Sequence, residues 1–132
     1  MPRSVLIVDD SHIVRTTIRD YLEALTDWKV AGEAEDGAEA VRKATELKAD
    51  LILLDFSMPK INGLEIAGAL KKALPNTLVI MFTMFDQALG STACPATGID
   101  LLISKSDGLI NLVQSVNRFL EDRIDPKIEP WR

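Results

Sequence analysis

Asp9 and Asp10 directly follow the apolar run VLIV, and Asp55 directly follows the apolar run LILL. Each acid therefore stands where a buried segment would emerge into solvent. Three carboxylates brought together repel one another unless a hard cation sits among them, and oxygen ligands of this kind suit Mg²⁺. A carboxylate can also act as a nucleophile toward phosphorus, giving an aspartyl phosphate. Both chemistries require a fold that carries positions 9, 10 and 55 to one place.

The elements that must do this are legible as an alternation. Short apolar, β-branched runs (SVLIV, WKVAGEA, ADLILLD, TLVIMFT) alternate with segments of helical period (SHIVRTTIRDYLEALT, GAEAVRKATELK, GLEIAGALKKALP). Strands alternating with helices predict a parallel sheet covered by helices on both faces. Continuous apolarity in LILL and LVIMF fits strands buried on both sides. In the first helix Ile13, Val14, Ile18, Leu22 and Leu25 fall near one face, and Ser11 is a suitable N-cap. After Thr83 the pattern weakens. FDQALGSTACPATG is the place for a helix, but Gly90, Ser91, Thr92 and Pro95 oppose helix propagation, so a short or irregular element is expected there. A fifth strand, IDLLIS, and a last helix, DGLINLVQSVNRFLEDR, complete one domain over residues 1–124. Residues 125–132, with two prolines, read as a tail or the start of a linker.

In an open α/β sheet the ligand site lies at the carboxyl ends of the strands, where the winding direction reverses. For five strands in the order 2-1-3-4-5, that point falls between the first and third strands. Asp9 and Asp10 end the first, and Asp55 ends the third. Thr83 and Lys105 end the fourth and fifth on the same edge. Three acids, a hydroxyl and an ammonium would converge on one crevice. A phosphoryl group on Asp55 would need Mg²⁺ and a compact cation such as Lys105 to balance its charge, while Thr83 could donate a hydrogen bond to it.

Bulk properties narrow the alternatives. A chain of 132 residues, 47% apolar, has room for one domain with a real core. A net charge of -5 and a pI of about 4.8 argue against a sequence-independent nucleic-acid surface, which needs clustered Lys and Arg. The lone Cys94 has no intrachain disulfide partner and reads as a small buried apolar residue. The opening MPRSVLIVDD lacks a signal-peptide apolar core, and no stretch approaches membrane-spanning length, so a cytoplasmic location is expected.

At this point the chain resembles the receiver domain of two-component response regulators over roughly residues 4–122. The resemblance rests on the acidic pair in VLIVDDS, the block LILLDFSMPKINGLE, the hydroxyl in IMFT and the lysine in LLISKSDG, in order and at receiver-like spacings. It implies a doubly wound flavodoxin-like (CheY-like) α/β fold and a signalling role rather than enzymatic turnover of a substrate. It further implies that Asp55 accepts phosphate from a partner's phosphohistidine, on a sensor histidine kinase or a phosphotransfer protein. Asp10 would bind Mg²⁺ directly, Asp9 largely through water, and the Ser57 backbone carbonyl would complete the protein ligands. Lys105 would contact the phosphoryl group, and Thr83 would turn toward it on activation. Ser106 after the lysine, in place of proline, is similar to receivers of the NarL type. A homodimer and a C-terminal, DNA-binding effector domain are open partners of such a module.

The chain also departs from the receiver pattern. Leu102 stands three positions before the lysine, where receivers usually carry an aromatic residue, and Met84 follows the hydroxyl where a small residue is usual. With Phe85 next, access to Asp55 is expected to narrow, slowing phosphoryl loss. Transmission is expected to run through residues 86–98. His12 reads as a surface residue at a helix start, and Met81, Phe82, Met84 and Phe85 as core or pocket lining. Trp131 carries no assigned role. Rival readings are a receiver-like interaction module that works without phosphorylation, an Mg²⁺-dependent phosphatase and a flavin-binding domain. The phosphatase would want an acid where Ser57 stands, and the flavin site would want amides where DDSHIV presents acids.

Overall fold

The computed structural model describes residues 3–55, 63–83, 98–105 and 108–123. Along these the chain runs β1 (Ser4–Val8), α1 (His12–Leu25), β2 (Lys29–Ala34), α2 (Gly37–Leu47), β3 (Leu51–Leu54), α3 (Gly63–Ala73), β4 (Leu78–Thr83), β5 (Leu101–Ser104) and α4 (Gly108–Arg123). All strands are parallel, in the order β2-β1-β3-β4-β5. The parallel sheet is the one the alternation predicts, and its order is the doubly wound one that the resemblance implies, with the winding reversing between β1 and β3.

Successive side chains of a strand leave on opposite faces, and here both faces are buried. Val5 and Ile7 of β1, Leu51 and Leu53 of β3, and Leu78, Ile80 and Phe82 of β4 pack with Ile18 and Leu22 of α1 and Leu112 and Val116 of α4. Leu6, Val8, Ile52, Leu54, Val79 and Met81 point the other way, onto Ala40 and Ala44 of α2 and Ile66, Ala67 and Leu70 of α3. The unbroken apolarity of LILL is thus the signature of two cores separated by one sheet.

Helix boundaries follow local chemistry. Ser11 caps α1 as expected, its hydroxyl accepting from Val14 N at 3.3 Å, and Asp36 caps α2 by accepting from Glu39 N at 2.9 Å. One expectation for α1 fails. Ile13 and Leu25 are 77% and 65% exposed. Ile13 precedes Ile18 by five positions, a rotation of about 140° from the buried meridian. Leu25 shares that meridian but ends the helix, and the core just beyond is closed by Trp28.

β2 carries an irregularity that matters below. Val5 pairs with Val30 but Leu6 pairs with Gly32, so Ala31 is an extra residue on the edge strand. The irregular element expected between β4 and β5, and the tail 125–132, lie outside the described residues.

Candidate metal centre

The register alone brings the acids together. Val8 pairs with Leu54 across the parallel β1/β3 ladder, and the ladder continues one bond further, from Asp55 N to Val8 O at 3.0 Å. Asp9 is fixed on its other side by a bond from its own N–H to Ala34 O at 3.0 Å. The next residue of each strand after the last apolar one therefore emerges at the reversal point. Oxygens of Asp9, Asp10 and Asp55 lie within 4.8 Å of one another. Asp9 and Asp55 are buried, at 3% and 4% exposure, whereas Asp10 faces solvent.

Lys105, the residue after β5, reaches over this edge. Its Nζ lies 3.1 Å from Asp9 Oδ2 and 3.5 Å from Asp55 Oδ2. It also passes 6.0 Å from the centroid of the buried Phe82 ring. Phe82 and Lys105 line one side of an open groove of about 360 Å³ whose other wall includes Ile13, Val14 and Thr17 of α1. Thr83 ends β4 opposite Ser104, one register step from Lys105, and so stands on the same edge. His12 is exposed, and Met81 and Phe82 belong to the core, as their sequence context suggested. Leu102 is partly buried against the core under α2 and α3. Ser57, Met84 and Phe85 lie outside the described residues.

Burial pushes the Asp9 carboxyl above its ordinary value of 3.8, and the nearby Asp55 charge adds to this. A hydrogen bond from Ser11 N–H and the Lys105 ammonium oppose it. A carboxyl with a raised folded-state pKa contributes stability that is fully present below the unfolded value and is lost as pH rises through the folded value. In metal-free protein, the stability of Asp9→Asn relative to wild type should therefore increase as pH climbs from about 3.8 through that raised value. Asparagine keeps an oxygen for Ser11 N–H and carries no charge to desolvate. Urea titrations in chelator across this window check it, and a difference that is flat with pH would refute it.

The donor set fits a hard divalent cation. Among the described residues the side-chain donors are carboxylate oxygens, two of them buried, and one ammonium, that of Lys105, stands against the three acids.

A family model for the response regulator receiver domain matches residues 5–117. The chain belongs to the response regulator receiver family. Among curated proteins this receiver is similar to the response regulator protein VraR of Staphylococcus saprophyticus, at 36% identity over 118 residues. That match covers 89% of this chain but 56% of VraR, so the receiver spans little more than half the length of such relatives. Among solved structures it is similar to the response regulator domain of Thermotoga maritima CheB (34% identity, TM-score 0.70), which covers 96% of this chain and 100% of that one. It also resembles a LuxR-family two-component response regulator from Aurantimonas sp. SI85-9A1 (26% identity, TM-score 0.80), covering 92% and 87%. The CheY-like reading of the fold holds. Among the described residues no helix is long and apolar enough to cross a membrane.

Two features of the receiver site were not read from the sequence. Ser11 both caps α1 and turns its backbone N–H onto Asp9 Oδ1 at 2.9 Å. Arg15, one helical turn after Ser11, donates from Nη1 to Asp9 O at 2.6 Å. An arginine near the start of a helix that follows an acidic loop is the signal that was available.

Proposed function

We propose that this receiver accepts a phosphoryl group on Asp55 from the phosphohistidine of a sensor histidine kinase or phosphotransfer protein, in an Mg²⁺-dependent reaction, and signals by changing conformation. The supporting observation is the convergence of Asp9, Asp10, Asp55 and Lys105 at the reversal point of the sheet. Asp9, Asp10, Asp55 and the Ser57 backbone carbonyl would hold the ion, which when bound offsets the charge of the acids and of the incoming phosphoryl oxygens.

The chain's own residues divide the work. An Asp55 carboxylate oxygen forms the new O–P bond while the P–N bond to the donor imidazole breaks, and the imidazole nitrogen keeps the electron pair. Lys105 is held at rest between Asp9 and Asp55 and stays within reach of the added negative charge. Thr83, at the end of the neighbouring strand, supplies a hydroxyl donor on the same edge. Beyond self-phosphorylation and its reversal by hydrolysis, no catalytic turnover is proposed. The match covers 56% of VraR, which leaves a substantial unmatched portion in that protein. Coupling to an effector segment, DNA-binding among the options, or to a second receiver is the corresponding output proposal.

Incubation with acetyl phosphate tests the reading. Intact-mass measurement should show one added phosphoryl group with Mg²⁺ and none with chelator, and hydroxylamine should remove the label, as expected of an acyl phosphate. Absence of label under all conditions would favour a receiver that works through protein contacts without phosphorylation.

A further inference from the structure

The peptide unit between Asp9 and Asp10 joins the two acids that follow β1, and because it is planar, ψ of Asp9 and φ of Asp10 set how the two residues are presented relative to it. Its carbonyl is not left to solvent. It accepts the hydrogen bond from Arg15 Nη1 at 2.6 Å, while Arg15 Nε donates to Glu33 Oε1 at 2.9 Å. The other Glu33 oxygen lies 3.1 Å from Arg19 Nη2, and the Glu33 backbone carbonyl accepts from Lys43 Nζ at 2.6 Å. Arg15 is 11% exposed at its side chain and Glu33 21%. Two helices and an edge strand are thus linked, through Arg15, to one peptide of the acidic loop.

The extra residue in β2 makes this geometry possible. Val30 and Ala34 are four positions apart, and strict alternation would put them on the same face. They lie instead in opposite cores, Val30 under α1 and α4 and Ala34 under α2 and α3. The inserted Ala31 turns the strand over, so that Glu33 pairs with Ile7 on the α1 face and meets Arg15 and Arg19. Without the insertion the carboxylate would face the other core.

We propose that Arg15, anchored by Glu33, is a positioning residue for the cation site: it sets the Asp9–Asp10 peptide and thereby raises Mg²⁺ affinity. The proposal rests on the reading of the three acids as that site. Its sign separates it from simple electrostatics. Arg15 is a positive charge near a cation site, and if charge alone mattered its removal would tighten Mg²⁺ binding. If it orients the ligands, removal weakens binding, as loss of outer hydrogen-bond partners of metal ligands does by roughly 10–100-fold.

Calorimetric titration of the intact chain with Mg²⁺, well below the melting temperature, decides the matter. Wild type should bind, and Asp10→Asn should bind much more weakly. No heat of binding from wild type would remove the cation site itself. Arg15→Ala should bind about tenfold more weakly than wild type at the lower end of that range. Arg15→Lys retains the charge but not the two-armed bridge, so it should also bind more weakly, by a smaller factor. Arg19→Ala also loses a Glu33 contact without touching the loop, and should keep wild-type affinity even if its melting temperature falls. Unchanged or tighter binding by Arg15→Ala would overturn the proposal. If that variant fails to fold, wild-type affinity in Arg15→Lys would do the same.

Discussion

Asp55→Asn should abolish acetyl phosphate labelling, lowering its rate by more than about a thousandfold, the scale on which loss of a nucleophile is felt. The amide oxygen carries no negative charge and its nitrogen is a poor nucleophile, so no group at position 55 attacks phosphorus. The fold should tolerate the change. Asp55 is held by its backbone N–H to Val8 O, which the substitution leaves in place, and the side chains are nearly the same size. One of three mutually repelling charges is removed from a site where two acids are buried, and Lys105 retains Asp9 at 3.1 Å. The metal-free variant should accordingly be no less stable than wild type. Intact mass after incubation with donor and Mg²⁺ is the direct readout. Label that persists in Asp55→Asn at the wild-type rate would mean that another nucleophile accepts phosphate, and the assignment of Asp55 would fall.

The parts of this site that were legible in the sequence share one physical reason. VLIV and LILL are buried on both faces, so their apolarity is continuous and its end is sharp, and a sharp end locates a strand terminus to the residue. Sheet topology then converts two termini distant in sequence into neighbours. Lys105 was legible in the same way, because LLIS precedes it. What was not legible depends on register rather than on composition. The Arg15–Glu33 pair exists because Ala31 is an extra residue in β2, and although Gly32 within VAGEA hints at a bulge, only the pairing with β1 shows which residue stands out of the alternation. The exposure of Ile13 is a different kind of miss. A face that runs from Ile13 to Leu25 is too wide, and Ile13 lies instead on the groove beside Lys105.

Gly98→Ala should cost about 3 kcal/mol of stability, several times more than Gly108→Ala at a nearly identical backbone angle. Both glycines have positive φ, +81° at Gly98 and +84° at Gly108, where a side chain strains the backbone by about 1 kcal/mol or somewhat more. Their surroundings differ. A Cβ at Gly108 would meet nothing within 4 Å, so strain is its whole cost. A Cβ at Gly98 would lie 2.7 Å from Ala67 O, 3.0 Å from Ala67 C and 3.2 Å from Gly68 Cα. These are backbone atoms in the middle of α3 and have no rotamer through which to yield. Relief would have to come from moving the entry to β5 away from α3. That entry is tied down immediately afterwards, by the buried Ile99, by the Asp100 N–H to Val79 O bond at 2.8 Å, and by the Lys71–Asp100 ion pair from α3 itself. The strand so displaced is the one that ends at Lys105, so Gly98→Ala should also slow phosphoryl transfer, whereas Gly108→Ala should leave the fold's stability lower by roughly the backbone strain alone. Chemical denaturation of the two variants side by side checks the difference. Equal losses would show that the close approach to α3 is absorbed elsewhere and that Gly98 is needed only for its backbone angle.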